Sequence, residues 1–240
     1  MPGPLKSEAV VLRSLRYGEA DRILHLYTPH RGRVGAIAKG VRRTRSRFGG
    51  RLEPFFRLRL VLHEGRSELL TVTSAETVDG HARLRGDGAA LDVAARACEG
   101  VARLFETGEP HPEVFNLLCN ELALLDADVG RATRANLLAF RLKLLLAAGL
   151  APQLGACASC GARDHLTGFS PSAGGVVCGA CEASAFPLDE EAHELLADAL
   201  GRPLAEPLSA SDRALRQAER AVAETAEHHG GIRLARSRGG

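Results

Sequence analysis

The first 80 residues alternate between short apolar runs and short polar turns, a pattern typical of β-strands. Residues 57–63 begin with strict alternation of polar and apolar positions, as expected of a strand with one buried face. The predicted strands are residues 9–12, 22–28, 33–39, 57–63 and 68–73. Turn residues separate them at 17–19, 28–32, 49–50 and 63–67. Five strands in about 75 residues, with one long connection, predict a small closed barrel.

After about residue 80 the apolar residues recur at helical spacing. The predicted helices are residues 89–105, 112–125, 134–148, 189–200 and 209–228. Thr133 is placed to cap the third helix and Gly149 to end it, and this helix is apolar on nearly all faces, which indicates a central, buried position. Ser209, with Asp212 three residues on, is the expected start of the last helix. Residues 151–187 have neither pattern and are expected to form loops.

Together these patterns predict an α+β multidomain protein. We expect a five-stranded OB-fold β-barrel over residues 1–80, an oligonucleotide-binding architecture, and an all-α helical domain over residues 81–240. A four-cysteine insertion over residues 151–187 interrupts the helical domain.

Composition narrows the class of protein. Of 240 residues, 45% are apolar and 25% are charged, which excludes wholesale disorder. No apolar run reaches the roughly 18 residues of a membrane span, and the N-terminus lacks the apolar core of a signal peptide. We therefore expect a soluble cytoplasmic protein with no membrane partner.

Four cysteines form two Cys-x-x-Cys pairs separated by 17 residues: Cys157 and Cys160, then Cys178 and Cys181. A two-residue spacer lets one tight turn aim two thiolates at one ion, so this spacing predicts a single structural Zn²⁺ with four thiolate ligands. Four ligands leave no open position for catalysis. Ligands that no longer bind metal, or two redox dithiols, are the alternatives. Cys98 and Cys119 lie on apolar helix faces and are expected in the core.

Residues 31–51 carry eight cations and no acidic residue. They are Arg31, Arg33, Lys39, Arg42, Arg43, Arg45, Arg47 and Arg51. Such a run needs solvent or phosphates, and on an OB-fold barrel it favours a nucleic-acid surface. A solvated loop, or pairing with acids of the second domain, is the alternative. Phe48, amid the arginines, is the best candidate for stacking on a base. Arg83, Arg85, Arg131 and Arg134 are weaker candidates for DNA contact in the helical domain.

The usual signatures of enzymes are missing from the sequence. It contains no Walker A sequence, no GxGxxG after a strand and no GxSxG. The carboxylate pair Glu190-Glu191 falls in the first turn of a predicted helix, where it favours the helix dipole. We therefore expect a protein that is not an enzyme.

Several segments of the first 80 residues resemble the bacterial recombination mediator and DNA repair family RecO. They are Gly18-Glu19-Ala20-Asp21-Arg22-Ile23-Leu24, Thr28-Pro29, Gly32, Ala38-Lys39-Gly40-Val41-Arg42-Arg43, Ser46-Arg47, Leu52-Glu53-Pro54-Phe55, Leu69-Leu70 and Ala75-Glu76. The helical half and the placement of the cysteine pairs also resemble that family, so the resemblance covers nearly the whole chain.

The resemblance implies a non-enzymatic role in recombinational DNA repair. Such proteins bind single- and double-stranded DNA and anneal complementary strands. With the partner RecR they help to load the RecA recombinase onto DNA coated by single-strand DNA-binding protein, in the cytoplasm at the nucleoid. By position, the resemblance makes Lys39, Arg42, Arg43 and Arg47 the DNA-contacting cations, while Arg45 and Arg51 are added by charge alone.

Two other functions stay open at this point. An OB-fold protein that binds RNA or the ribosome would need the same basic stretch. A metal-dependent nuclease would instead use the zinc site for cleavage. Binding to structured RNA tests the first alternative, and cleavage that depends on Cys160 tests the second.

Overall fold

A computed structural model describes residues 3–43, 46–65, 67–105, 109–181 and 185–234. The chain divides into two compact units, the first ending at Val129 and the second beginning at Gly130. Within these described residues, the first unit contains five strands and two α-helices, and the second contains three short strands and three α-helices. The boundaries of 1–80 and 81–240 that the sequence suggested stay a prediction.

The first five strands close into the predicted barrel. They are β1 Leu5–Tyr17, β2 Asp21–Thr28, β3 Gly32–Ala38, β4 Arg57–His63 and β5 Leu70–Asp79. Their order around the barrel is β1-β2-β3-β5-β4, and β4 closes on β1. All pairs are antiparallel except β3 with β5. This topology confirms the OB-fold prediction.

β1 pairs with two neighbouring strands and bends around the barrel. Its first half pairs with β4 and its second half with β2, and a bulge between Val11 and Arg13 marks the change. At this point Val11 exchanges backbone hydrogen bonds with the β3–β4 connection, since its N–H donates to the Phe56 carbonyl and its carbonyl accepts from Phe55. The bulge therefore anchors the end of that connection to the barrel wall.

The barrel interior is filled by alternate residues of every strand and by the β3–β4 connection. The fully buried side chains from the strands include Leu24, Leu26, Leu58, Leu60 and Leu62. Val41, Phe48, Leu52 and Phe56 of the connection join the same cluster. The long connection is thus packed into the core on one side, although its sequence is rich in Arg and Gly.

Two helices complete the first unit: α1 Gly88–Leu104 and α2 Pro112–Ala127. The Asp87 carboxylate caps α1 by accepting from the Ala90 N–H. Phe105, directly after α1, packs its ring edge-on against Tyr27 of β2, with the centroids 6.4 Å apart. The two helices therefore pack against the barrel wall, and Tyr27 in this contact is fully buried.

The second unit is built around α3 Arg134–Ala147. Thr133 caps this helix, and every residue from Ala135 to Leu142 is buried, so the prediction of a central helix is confirmed. α4 Glu190–Gly201 and α5 Asp212–Gly230 both pack against it. Ser211, not Ser209, caps α5 by accepting from the Ala214 N–H, which corrects the predicted start.

The segment expected to be loop contains a small sheet. Its strands are β6 Leu166–Ser170, β7 Gly175–Cys178 and β8 Phe186–Pro187, in the order β7-β6-β8. The strands are too short to show a clear alternation, which explains why the sequence pattern missed them. Within the described ranges, none of the helices combines the length and apolar character that crossing a bilayer requires.

Gly175 is the position in this unit where a side chain has no room. A Cβ there would lie 2.8 Å from the Gln153 nitrogen and closer still to its carbonyl oxygen, because the two residues form a β-bridge. We expect Gly175→Ala to destabilise the protein by at least about 2 kcal/mol in urea unfolding, since backbone cannot yield as a side chain does. Gly201→Ala at the end of α4 is the matched control, with no atom within 4 Å, and should be neutral. Equal midpoints for the two variants would contradict the close approach.

Candidate nucleic-acid interface and metal centre

The basic loop, residues 39–51, is held in place by hydrogen bonds to the β1–β2 turn. The Gly40 N–H donates to Asp21 Oδ1 at 2.8 Å, and the Arg42 N–H donates to the Ala20 carbonyl at 2.9 Å. Gly40 has a φ of +69°, a left-handed conformation that glycine adopts without strain. The backbone of the basic loop thus continues the barrel wall where β1 turns into β2.

Five cations of the basic loop point into solvent. Lys39, Arg42, Arg43, Arg47 and Arg51 are all exposed. Within the described part of the chain, no carboxylate lies within ion-pair distance of any of these five side chains. Arg45, the sixth predicted DNA contact of the basic loop, lies outside the described residues. These five charges are therefore available to a partner of opposite charge.

The first two cations of the basic stretch are already engaged. Arg31 pairs with Glu64 at 2.7 Å, and Arg33 donates to the Ala102 carbonyl at 3.1 Å. The cations of residues 31–51 thus fall into two groups. Those before the end of β3 contact other groups of the protein, whereas the described cations after it have no ion-pair partner among the described residues.

Phe48 does not have the position that we expected of a stacking residue. Its side chain is 1% exposed and belongs to the barrel core, so a nucleic-acid base cannot reach its ring in this structure. The Arg47 guanidinium lies over that ring, 4.8 Å from the centroid. The prediction that Phe48 stacks on a base is therefore corrected. Arg47 is exposed and Phe48, the next residue, points into the barrel core.

The weaker candidates for DNA contact, which lie after residue 80, make contacts with other groups of the protein. Arg83 donates to the Ala127 carbonyl and Arg131 to that of Leu204. The Arg85 guanidinium lies 4.5 Å from the centre of the Phe56 ring. Arg134 pairs with both Glu219 and Asp212. All four thus contact other groups of the protein, although Arg83 and Arg85 are exposed.

Tyr17 is an exposed aromatic residue beside the β1–β2 turn that the sequence analysis did not single out. It is 53% exposed at the end of β1 and leads into the turn that holds the basic loop. Its Cα partner in β2 is Asp21, the residue that accepts from Gly40. The only signal in the sequence was an aromatic residue directly before a Gly-Glu turn.

The four predicted metal ligands come together in the second unit. The sulfur atoms of Cys157, Cys160, Cys178 and Cys181 all lie within 4.8 Å of one another. The first pair sits on a turn closed by hydrogen bonds between Cys157 and residues 161 and 162, with Gly161 at a φ of +79°. The second pair begins with Cys178, the last residue of β7, and the Cys181 N–H donates to the Cys178 carbonyl. The β6–β7 hairpin therefore presents one pair to the other.

The geometry of the sulfur atoms fits a tetrahedral zinc site. Zinc–sulfur bonds of about 2.3 Å put the ligands about 3.8 Å apart, and the Cys160 and Cys178 sulfurs are 3.7 Å apart. Backbone N–H groups, that of Cys178 foremost, lower the pKa of the Cys157 thiol to about 6. Hydrogen bonds that the Cys181 thiol donates to the neighbouring sulfurs, that of Cys160 foremost, raise its pKa to about 12. Four thiols this close cannot all ionise unless a cation joins them.

The other two cysteines are core residues, as predicted. Cys98 is 3% exposed and Cys119 is 7% exposed. Burial raises the pKa of Cys98 to about 12 and that of Cys119 to about 11, so both are inert thiols at neutral pH.

Comparison with known proteins matches both parts of the chain. Residues 1–81 match the family model described as Recombination protein O N terminal, and residues 85–238 match Recombination protein O C terminal. A protein of Anaeromyxobacter sp. (strain Fw109-5) named DNA repair protein RecO is 40% identical over 246 residues, 98% of this chain and 94% of the relative. A protein of the same name from Rubrobacter xylanophilus is 42% identical over 226 residues, 90% of this chain and 88% of the relative. The chain therefore belongs to the RecO family of DNA repair proteins.

Proposed function

We propose that this protein binds single- and double-stranded DNA through the basic loop of its OB-fold barrel. The observation that carries the proposal is the set of five exposed cations with no carboxylate within ion-pair distance among the described residues. Phosphates are the natural counter-charge, because each contact releases condensed counterions from the DNA. The cations in this proposal are Lys39, Arg42, Arg43, Arg47 and Arg51, and Arg45 belongs with them by charge.

We infer that the bound strands are annealed rather than cut. Annealing breaks no covalent bond. It needs a cationic surface that screens the repulsion between two phosphate backbones while the bases meet. The basic loop offers that surface, and its apolar side is fixed by Val41, Phe48 and Leu52, so the cations stay in place without a bound partner. The function proposed is thus a non-enzymatic one.

Membership of the RecO family supports a wider role in recombination. We propose that the protein acts with RecR and, in the cytoplasm at the nucleoid, helps to load RecA onto DNA coated by single-strand DNA-binding protein. The geometry of the barrel contributes the DNA-binding half of this role.

We propose further that residues 151–187 hold one structural Zn²⁺ through Cys157, Cys160, Cys178 and Cys181. Bound there, the ion would supply a cross-link and a positive charge, with no open position for a substrate. The fold of the protein brings the four sulfur atoms together. β7 carries one pair on its end, and the Ala158 N–H ties the other pair to the Val176 carbonyl of the same strand.

The DNA-binding proposal predicts a steep dependence on salt. With five phosphate contacts, log K for single-stranded DNA should fall with log salt at a slope of about −3.5. Between 50 and 200 mM salt this is a loss of about 100-fold. Fluorescence anisotropy with a labelled oligonucleotide over a salt series measures the slope, and annealing of two complementary strands without added nucleotide measures the activity.

Two results would count against the proposal. Binding that is flat across the salt series would mean that the basic loop does not touch phosphates. Tighter binding to structured RNA than to single-stranded DNA would favour an RNA-binding protein instead.

A further inference from the structure

The outer wall of the barrel carries a second surface beside the basic loop. Strand register places Leu15 opposite Ile23, and Ile23 opposite Ile37. The residues that alternate with them, Leu24 and Ala36, are fully buried in the barrel interior. Leu15, Ile23 and Ile37 therefore form one apolar row across the outside of three neighbouring strands. All three are only partly buried.

The row continues into an exposed aromatic ring. Tyr17 is two residues beyond Leu15 on the same face of β1 and is 53% exposed. Only two other large apolar side chains are comparably exposed in the part of the chain that the structure describes, namely Val78 and Leu146. An exposed ring next to an apolar row is the arrangement on which unpaired bases stack.

Arginine side chains border the row on one side, and the basic loop borders it on the other. Arg13 and His25 are paired across β1 and β2, one step from Leu15 and Ile23 on the same face. Burial, with the charges of Arg33 and Arg13 added, lowers the pKa of His25, so both arginines lie close to it. On the other side, the turn after Tyr17 is hydrogen-bonded to the basic loop at Gly40 and Arg42. Positive charge thus flanks an apolar centre, which complements a strand whose phosphates lie outside its bases.

We propose that the outer face formed by Leu15, Tyr17, Ile23 and Ile37 binds the unpaired bases of single-stranded DNA, with Tyr17 as the stacking residue. This inference rests on the proposed function and deepens it. The basic loop holds phosphates of any DNA, while this face tells an unpaired strand from a duplex, because only unpaired bases can lie flat on a ring. Phe48 is buried. Among the described residues, Tyr17 is therefore the aromatic residue near the basic loop whose ring is exposed for stacking.

The test is the binding of three DNAs by Tyr17→Ala and Tyr17→Phe, measured by fluorescence anisotropy. The DNAs are an oligo(dT), an oligonucleotide of the same length made of abasic sites, and a duplex. We expect Tyr17→Ala to weaken oligo(dT) binding about 5- to 100-fold. Binding of the abasic strand and the duplex should change less than about twofold, and Tyr17→Phe should bind like the parent protein, since the ring is what stacks.

A direct probe is available because the chain contains no Trp. Tyr17→Trp places the only indole at the proposed contact, and its emission should be quenched by oligo(dT) but not by the abasic strand. Val78→Trp is the matched control, since Val78 is 40% exposed on β5 of the same barrel, outside the three strands of the face. Its emission should stay unchanged with either DNA.

The outcomes separate the two proposals. If the parent protein binds oligo(dT) with the expected salt slope but Tyr17→Ala binds it equally well, this inference is wrong and the basic-loop proposal stands. Equal weakening with oligo(dT) and abasic DNA also overturns it, since Tyr17 would then act on the backbone or on the fold. If the parent protein binds no DNA, the proposed function fails and the base-binding face fails with it.

Discussion

Replacing Arg42, Arg43 and Arg47 together by Glu is expected to weaken DNA binding about 1000-fold, at about 1.4 kcal/mol or one factor of ten per reversed charge. All three side chains are exposed, and none has an acidic partner among the described residues. Each reversal removes an attraction to phosphate and adds a repulsion. The salt slope for single-stranded DNA should also become less steep by about 2, because three counterion-releasing contacts are gone.

The fold should survive this change. The basic loop is held by backbone hydrogen bonds and by apolar side chains that the variant keeps. Only the contact of Arg47 with the Phe48 ring is lost, worth about 0.5–1 kcal/mol at an exposed site. Circular dichroism and the urea midpoint should therefore stay close to those of the parent protein.

A matched control separates local from global charge. The variant with Arg202, Arg213 and Arg216 changed to Glu has the same net charge, and all three of these residues are exposed in the second unit. It should bind DNA within about threefold of the parent, because none of the three residues belongs to the basic loop. Loss of the exposed Arg202–Asp198 and Arg213–Asp189 ion pairs should cost little stability. If both triple variants lose affinity equally, the basic loop has no special part in binding.

The barrel could be predicted because its strands have one buried and one exposed face. That alternation is clear in β4, where Leu58, Leu60 and Leu62 are buried. It fails at the end of β5, where all residues from Glu76 to Asp79 are exposed although they pair with β4. Backbone pairing without burial leaves no hydrophobic pattern, so the predicted strand ended six residues early.

The start of α5 shows a limit of local signals. Ser209 and Ser211 both offer a hydroxyl to a helix N-terminus, and Asp212 made the earlier one look better. The buried residues Ala214, Ala218 and Ala221 determine where the helix packs, and they place its first turn after Ser211. Either serine could cap the helix. Packing against α3, which cannot be read from the sequence, determines that Ser211 does so.

The binding surface was predictable in charge but not in its aromatic part. Eight cations without an acid mark the segment directly, whereas their exposure depends on how the long connection folds back. Phe48 was chosen because it lies among arginines, yet the core needed an apolar residue at that position. Tyr17 did not stand out because it is far from the basic loop in sequence. The hydrogen bonds from the basic loop to Ala20 and Asp21, in the turn after Tyr17, appear only in the structure.

The cysteine cluster was the feature most fully predicted, because a Cys-x-x-Cys spacing constrains geometry locally. Two such turns can meet at one ion wherever the chain between them returns on itself. The sequence could not show that a β-hairpin makes this return, with Leu166 opposite Cys178 in its register. Nor could it show that the thiols pack on Val177, so that the cluster also lines a small apolar core.

Changing Cys178 to Ser is expected to remove the proposed zinc and to destabilise the second unit by about 4 kcal/mol. This is the stability that zinc binding adds to the folded state when the free zinc concentration is about 1000 times the dissociation constant. Cys178 is the proposed ligand at the end of β7, and it is 7% exposed, so its replacement also leaves a hydroxyl in an apolar place. Metal analysis should fall from about one zinc per chain to none, and thermal unfolding should show the loss of stability.

Cys119→Ser is the control for this change, since Cys119 is also 7% exposed but lies in α2 of the first unit and is not one of the four clustered cysteines. It should keep its zinc and lose about 1–2 kcal/mol, as a buried hydroxyl in place of a thiol does. Removing zinc from the parent protein with a chelator should reproduce the Cys178→Ser result, while DNA binding at low temperature stays within about threefold because the basic loop belongs to the other unit. A zinc-free protein with an unchanged unfolding temperature would show that the four thiols do not depend on a metal, and that hydrogen bonding among them is enough to hold residues 151–181 together.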